Sequence, residues 1–396
     1  MTEAGGAAEL PVAIIGYGFM GRAHAMAWHR TVEATQLKVR PRIAVICGRN
    51  GDAAAAAAEQ LGIPEISTDW KVVIARPDVQ VVDICTPGSS HAEIAIAALQ
   101  AGKHVLCEKP LANTLAEAER MAAAANDASA RGVRSMVGFN YRRVPALIAA
   151  RRLVEQGRIG QLRHVRATYL QDWLINPAFP LTWRLAAAEA GSGALGDLGA
   201  HIIDLAQFLS GDQIVSVLGR TKTFVAERPV PQHASGLSGS AAEGGPTGQV
   251  DVDDAVTFLA EFSKGAIATF EATRMATGHK NGLRIELNGE LGSIRFDLER
   301  LNELEFHETA AQPAGFARVL VTEPTDPYMD LWWPPGHVIG WEHTFVHEVI
   351  DLCNAIASGT DPEPSFADGL SVQAVLDCVA ESARSGRWEP ALAPTS

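Results

Sequence analysis

The chain has 396 residues, 47% hydrophobic and 20% charged, an ordinary globular balance at a length that implies roughly two or three domains. A net charge of −13 with no Lys/Arg-rich block argues against a nucleic-acid partner. Five scattered cysteines without a CxxC pair read as reduced thiols of a cytoplasmic protein, no apolar run is long enough to span a bilayer, and MTEAGGAAELP lacks the Lys or Arg of a signal peptide.

The first third alternates two kinds of segment. PVAIIG (11–16), RIAVICG (42–48), VQVVDICTP (79–87) and KHVLCEKP (103–110) read as strands, with helices over Ala53–Leu61, His91–Ala101 and Thr114–Ala130 between them. Continuous rather than alternating apolar runs predict parallel strands covered on both faces, hence an α/β doubly wound sheet with right-handed crossovers. After SMVGFNYRR (135–143) the pattern changes. A helix over Ala146–Gly157 precedes LRHVRATYLQDW (162–173), which partly alternates, and residues 256–274 and 283–298 read as antiparallel hairpins with SKG and NGE turns. Residues 226–250, rich in Gly, Ser and Pro, read as a long, partly mobile loop. Two helices, 344–358 and 371–385, each closed by Gly, end the chain.

IIGYGFMGRAH sets Gly16, Gly18 and Gly21 directly after the first strand and before a helix, the pattern of a dinucleotide cradle, with Tyr17, Phe19 and Met20 in the same loop. Gly16 permits the tight turn, Gly18 the approach of a pyrophosphate, and Gly21 close packing of helix on strand. The acid that would hold the ribose hydroxyls after the second strand is missing: Cys47-Gly48-Arg49-Asn50 stands there, and Asp52 reads as a helix cap. Arg49 suits a 2′-phosphate, an adenine face or solvent, so NAD and NADP both stay open. Thr86 and Pro87 end a strand at the edge where ligands bind, and His91 opens the next helix, either facing the ligand or merely starting the helix. Glu108-Lys109-Pro110 lies at another strand end; Pro110 extends Lys109 and admits a cis bond, and the lysine either points to the cofactor or pairs with Glu108 at the surface.

GYGFMG, TPGSSH, AGKHVLCEKPLA, GDLGAH and PSFADGLSVQAVLD together resemble the glucose–fructose oxidoreductase/inositol dehydrogenase/MocA family, over about residues 12–388. The resemblance implies a Rossmann domain over 1–143 and a substrate-binding and oligomerisation domain over 144–396 with a large, open, mostly antiparallel sheet, whose C-terminal helices can pack back on the first domain. It implies that Lys109, Asp197 and His201 meet in one cleft, and that Trp183 and Arg184 help hold the nicotinamide. NYRR, TYLQDW, LTWR, GSGALGD and VDVDDAV point within the family to members acting on anhydrosugars, with Tyr141, Arg142, Gln171, Asp172 and Trp173 as hydroxyl-binding candidates. On that reading His201 is the base, Lys109 stabilises the alkoxide, and Asp197, four residues before His201 on one helix face, binds a neighbouring hydroxyl and orients the imidazole.

The expected function is therefore NAD(P)-dependent oxidation of a secondary ring hydroxyl of a sugar, anhydrosugar or cyclitol. Inositol oxidation, redox-neutral glycoside processing and a nicotinamide-binding sensor are the alternatives, the last disfavoured because a sensor needs only the glycine loop. No metal is expected: His343 and His347 with Glu348 are not HExxH, and Asp251, Asp253 and Asp254 do not continue as a calcium loop. Trp332, Trp333 and His337 read as core, interface or the wall of a sugar pocket. An open sheet face leaving apolar area in water predicts a homodimer or homotetramer.

Overall fold

A computed structural model describes residues 7–235, 238–242 and 244–391. The first six residues of the stretch read for a signal peptide, and positions 236–237 and 243 of the Gly/Ser-rich stretch, lie outside the described residues. The chain forms two compact units: residues 1–112, 116–140 and 341–369, and residues 113–115, 141–340 and 370–396.

In chain order the elements are β1 (Ala8–Ile15), α1 (Phe19–Ala34), β2 (Val39–Cys47), α2 (Gly51–Leu61), β3 (Glu65–Ser67), α3 (Trp70–Ala75), β4 (Val81–Ile84), α4 (His91–Gln100), β5 (His104–Glu108), α5 (Leu115–Ser129), β6 (Ser135–Gly138), α6 (Pro145–Glu155), β7 (Leu162–Leu170), α7 (Ala187–Ala190) and α8 (Ala200–Ser210). They continue with β8 (Ile214–Lys222), β9 (Glu227–Pro229), β10 (Pro231–Ser235), β11 (Ser238–Ala241), β12 (Thr247–Gln249), β13 (Ala255–Phe262), β14 (Ile267–Thr273), β15 (Gly282–Gly289), β16 (Gly292–Asp297), β17 (Glu303–Glu308), β18 (Ala317–Leu320), α9 (His343–Ser358), α10 (Phe366–Ser385) and β19 (Glu389–Pro390).

The first unit is a six-stranded parallel sheet in the order β3-β2-β1-β4-β5-β6. Leu10 to Ile15 of β1 and all of β4 are buried, as strands covered on both faces require. The chain order reverses between β1 and β4, so the loops after these two strands border the crevice where doubly wound sheets bind ligands. α9 returns to this unit and packs on α1. β3, α3 and β6 are too short to give a periodic signal and are absent from the sequence reading. The cap of α2 is Asn50, whose Oδ1 accepts from Ala53 N at 3.0 Å, which corrects the assignment to Asp52. Gly51 already opens the helix, so the cap falls one residue before it.

The second unit holds a nine-stranded sheet, β18-β17-β16-β15-β7-β14-β13-β8-β19, antiparallel except where β14 meets β7. The SKG and NGE hairpins are present as β13–β14 and β15–β16. β13 alternates strictly: Val256, Phe258, Ala260 and Phe262 face the core, while Thr257, Leu259 and Glu261 face out. α6, α8 and the part of α10 in this unit pack against the sheet. Two expectations are corrected. The outward face is mainly polar and charged, with Arg166, Arg284, Arg295, Thr257, Thr269 and Glu271 exposed beside Leu259 and Ile267. The stretch 226–250 is not a long loop: β9 pairs with β12 and β10 with β11. Arg228 anchors it from a fully buried position, its guanidinium donating to the carbonyls of Asn176 at 2.9 Å and Leu174 at 2.8 Å. Val250 and Val252 join Leu174 and Leu185 in a small core, so buried anchors outweigh the Gly and Ser content.

Candidate active site

In the first unit the loop after β1 has the shape of a phosphate cradle. A Cβ on Gly16, whose φ is +110°, would lie 2.6 Å from the carbonyl oxygen of Cys85, and one on Gly21 would lie 2.0 Å from the Gly16 carbonyl oxygen. Gly18 alone of the three borders open space. It is also the N-cap of α1, with no side-chain cap and no acid in the first turn, so the helix start presents its amides and partial positive charge to an anion. These features fit a dinucleotide pyrophosphate. Phe19 stacks on Trp341 at 5.6 Å, and Tyr17 packs so closely on Gly48 that a Cβ there would meet its ring at 2.0 Å. Arg49 is exposed just beyond, and no carboxylate stands among residues 47–50.

His91 is buried, its Nδ1 3.1 Å from the carbonyl oxygen of Pro110 and its Nε2 2.9 Å from that of Thr86. It joins the two strand ends that carry Thr86-Pro87 and Glu108-Lys109-Pro110, and burial lowers its pKa. Lys109-Pro110 is a cis bond. Glu108 is buried rather than at the surface: one oxygen meets His24 Nε2 at 2.9 Å and the other accepts the Lys109 backbone N–H at 3.1 Å.

In the second unit Asp197 lies in a π-helical turn, Leu195–Gly199, that runs into α8, not in a regular α-turn. Single π turns recur at functional sites. Small residues make this one possible: a Cβ on Gly193 would meet the Asp253 carbonyl oxygen at 1.7 Å. The Asp253 carboxylate accepts from Gly193 N at 2.7 Å and Leu195 N at 2.8 Å, so it secures the entry to the turn. Arg274, fully buried, donates to the Asp253 carbonyl at 3.1 Å and sets its positive charge 3.7 Å from Asp197 Oδ2.

His201 follows on α8, buried, with the Tyr141 ring 4.5 Å and the Tyr169 ring 5.8 Å from its own. A line of neutral polar groups runs beside it. Asn281 Oδ1 accepts from Tyr169 Oη at 2.7 Å and from Gln171 Nε2 at 2.8 Å, and Gln171 Oε1 accepts from Trp173 Nε1 at 2.9 Å. Because Tyr169 spends its proton on Asn281, the 2.8 Å contact between the two tyrosines has Tyr141 as donor. Burial first, then Tyr141 and Asp197, push the Tyr169 phenol up, so it remains protonated.

Of the remaining candidates, Arg142 forms a buried ion pair with Asp204, at 2.5–3.0 Å. Asp172 takes the Lys280 ammonium at 2.7 Å, which lowers its pKa. Trp183 is exposed, and the Arg184 guanidinium stacks on it at 4.3 Å. His343, His347 and Glu348 are buried on α9, and Trp333 is exposed. Sequence reasoning missed Tyr169, Asn281 and Arg274 here and weighed Asp253 only as part of a calcium loop; in the first unit it missed His24 and Asp83. The period-two rule applied to TYLQDW would have grouped Tyr169 with Gln171 and Trp173 and set Asp172 apart. Asp83, a carboxylate inside the apolar run VVDIC, needed a buried partner and so announced one.

Residues 10–139 match the family model described as an oxidoreductase family with an NAD-binding Rossmann fold, and residues 147–295 match the GFO/IDH/MocA C-terminal domain. The chain is 43% identical over 388 residues to levoglucosan dehydrogenase of Pseudarthrobacter phenanthrenivorans, covering 96% of this chain and 97% of that one. It superposes on an oxidoreductase domain protein from Kribbella flavida with a TM-score of 0.92 at 56% identity, over 98% of this chain and 100% of the other. A levoglucosan dehydrogenase solved with NADH and levoglucosan gives a TM-score of 0.90 at 41% identity, with the same coverages.

Proposed function

Because the chain belongs to the GFO/IDH/MocA family of NAD-binding oxidoreductases, we propose that it oxidises a secondary ring hydroxyl of an uncharged sugar, foremost an anhydrosugar of the levoglucosan type, to the ketone. The observation that carries this reading is the line Tyr141–Tyr169–Asn281–Gln171–Trp173 beside His201. Its hydroxyl, amide and indole groups are neutral and its rings are flat, which suits the hydroxyls and C–H faces of a sugar. Arg142 and Arg274 are committed to Asp204 and to Asp253 with Asp197, which favours a neutral substrate over a sugar phosphate.

His201 takes the proton of the hydroxyl being oxidised. Lys109, as ammonium, hydrogen-bonds the developing alkoxide. Asp197, steadied by Arg274, binds the neighbouring hydroxyl and keeps the imidazole turned to its task. Gly16, Gly18 and Gly21, with the start of α1, hold the dinucleotide by its pyrophosphate. The nicotinamide, when bound, accepts the carbinol hydrogen with its electron pair. A panel of anhydrosugars, inositols, simple sugars and sugar phosphates, each with NAD and with NADP, tests the reading at the reduced-nicotinamide absorbance. Levoglucosan-like compounds are expected to lead. A preference for a phosphorylated sugar would overturn the substrate assignment, and product without net absorbance would point to redox-neutral turnover.

The outward face of the second unit's sheet bears on assembly. A groove of about 340 Å³ on it interleaves Arg166, Arg284 and Arg295 with Glu286, Asp297 and Glu305. Alternating charges of this kind are self-complementary under a two-fold axis, so this face suits a second copy of the chain. Sedimentation is expected to give an oligomer that weakens as salt rises; a monomer at low salt would remove the proposal. The five free cysteines fit a reducing cytoplasm, and no helix among the described residues is long and apolar enough to cross a membrane.

A further inference from the structure

His24 lies on α1, three residues beyond Gly21, and is 1% exposed, while Asp83 of β4 is fully buried. Its Nδ1 is 2.9 and 3.0 Å from the two Asp83 oxygens, and its Nε2 is 2.9 Å from Glu108 Oε1 at the end of β5. A neutral imidazole has one N–H and would turn a ring lone pair toward a carboxylate oxygen at its other end. Two ionised carboxylates, one at each end, are both satisfied only by a ring that carries both protons. Trp28 Nε1 donates to Asp83 at 2.7 Å, Cys85 Sγ lies 3.5 Å from Asp83 Oδ1, and the Phe345 ring of α9 lies 5.4 Å from the imidazole. Of the titratable groups around the cluster, Cys107 of β5 is pushed well up by burial and by Glu108, Cys85 and Asp83, so it stays a neutral thiol, and the buried His91 of α4 also feels the Glu108 charge. The second Glu108 oxygen holds the Lys109 backbone N–H at 3.1 Å.

We propose that His24, an imidazolium clamped between Asp83 and Glu108, is the positioning residue for Lys109: it fixes the carboxylate that holds the lysine's amide and ties that strand end to the helix beginning at the glycine loop. The inference rests on the alkoxide-stabilising role given above to Lys109. His24 touches neither substrate nor cofactor in this scheme and acts through Glu108.

Burial alone disfavours the charged ring, but the charge and hydrogen bond of Asp83, with Cys85 adding, raise the His24 pKa well above its ordinary value. The sign follows from linkage. A basic group whose folded pKa is raised keeps its full contribution below the ordinary imidazole value of about 6.5 and loses it as pH rises through the raised value. Turnover should therefore fall on the alkaline side as the clamp opens.

The test is His24→Gln, alone and combined with Lys109→Ala, followed by single-turnover rates across pH. The single variant is expected to lose roughly 10- to 100-fold in kcat with little change in KM for the sugar, and to lose the alkaline limb that His24 imposes. Added to Lys109→Ala, it should cost nothing further. An equal loss in both backgrounds would overturn the proposal, since His24 would then act by another route. Full activity of Lys109→Ala by itself would instead fell the role of the lysine, which keeps the two failures apart. Should His24→Gln not fold, nitrogen NMR of the His24 ring in the intact protein decides: both nitrogens protonated at mildly alkaline pH is expected, and a neutral ring would overturn it.

Discussion

Replacing His201 with alanine is expected to lower turnover by about 10²–10⁴-fold, the usual contribution of a positioned general base, with dinucleotide affinity unchanged. The affinity should hold because the glycine loop and His201 belong to different units of the fold. The fold should survive as well. His201 packs its ring against Tyr141 and Tyr169, and truncation leaves two tyrosines still bonded to each other and to Asn281. Added imidazole should restore part of the lost rate, because the vacated volume matches the missing base. Stopped-flow measurement of reduced nicotinamide, with and without imidazole, makes the check. A variant that turns over like the parent would remove His201 from proton transfer and shift attention to the tyrosine pair.

Lys109→Ala is expected to cost about 10²–10³-fold, the range for losing one donor to a developing oxyanion. The backbone around it is well held: Glu108 fixes the lysine's own amide, and His91 bridges the Thr86 and Pro110 carbonyls on either side. The substitution should therefore delete the ammonium without loosening the strand end. Lys109→Arg should recover only part of the rate, since a planar guanidinium cannot place its donors as a compact ammonium does. Steady-state kcat for both variants, beside melting temperatures, separates lost chemistry from lost structure. Parent-like kcat in the alanine variant would end the assignment.

Much of this was legible in the sequence because the relevant signals are local. Continuous apolar runs announce buried parallel strands: β4 and β5 fall within the runs that predicted them, while β1 and β2 overlap theirs but begin three residues earlier. The glycine loop is a local signal written in three positions: a Cβ at Gly16 or Gly21 would strike backbone, while Gly18 leaves the space before the helix open. What stayed hidden depends on distant pairs. Arg274 meets Asp197 from 77 positions further along the chain, and no spacing rule reaches that far. His24 finds its meaning only when β4 and β5 lie side by side. The stretch 226–250 misled because Gly, Ser and Pro mark turns, whereas the arginine that pins it marks nothing until it is seen buried.

The return of residues 341–369 to the first unit has a consequence for biosynthesis. The amino-terminal third emerges first from the ribosome, yet it lacks the helix whose Phe345 lies against His24 and whose Val346 carbonyl accepts from Thr31. Until residues 341–369 have been translated, α1 stands without that neighbour. A chain halted midway therefore lacks one of the helices that complete its first unit.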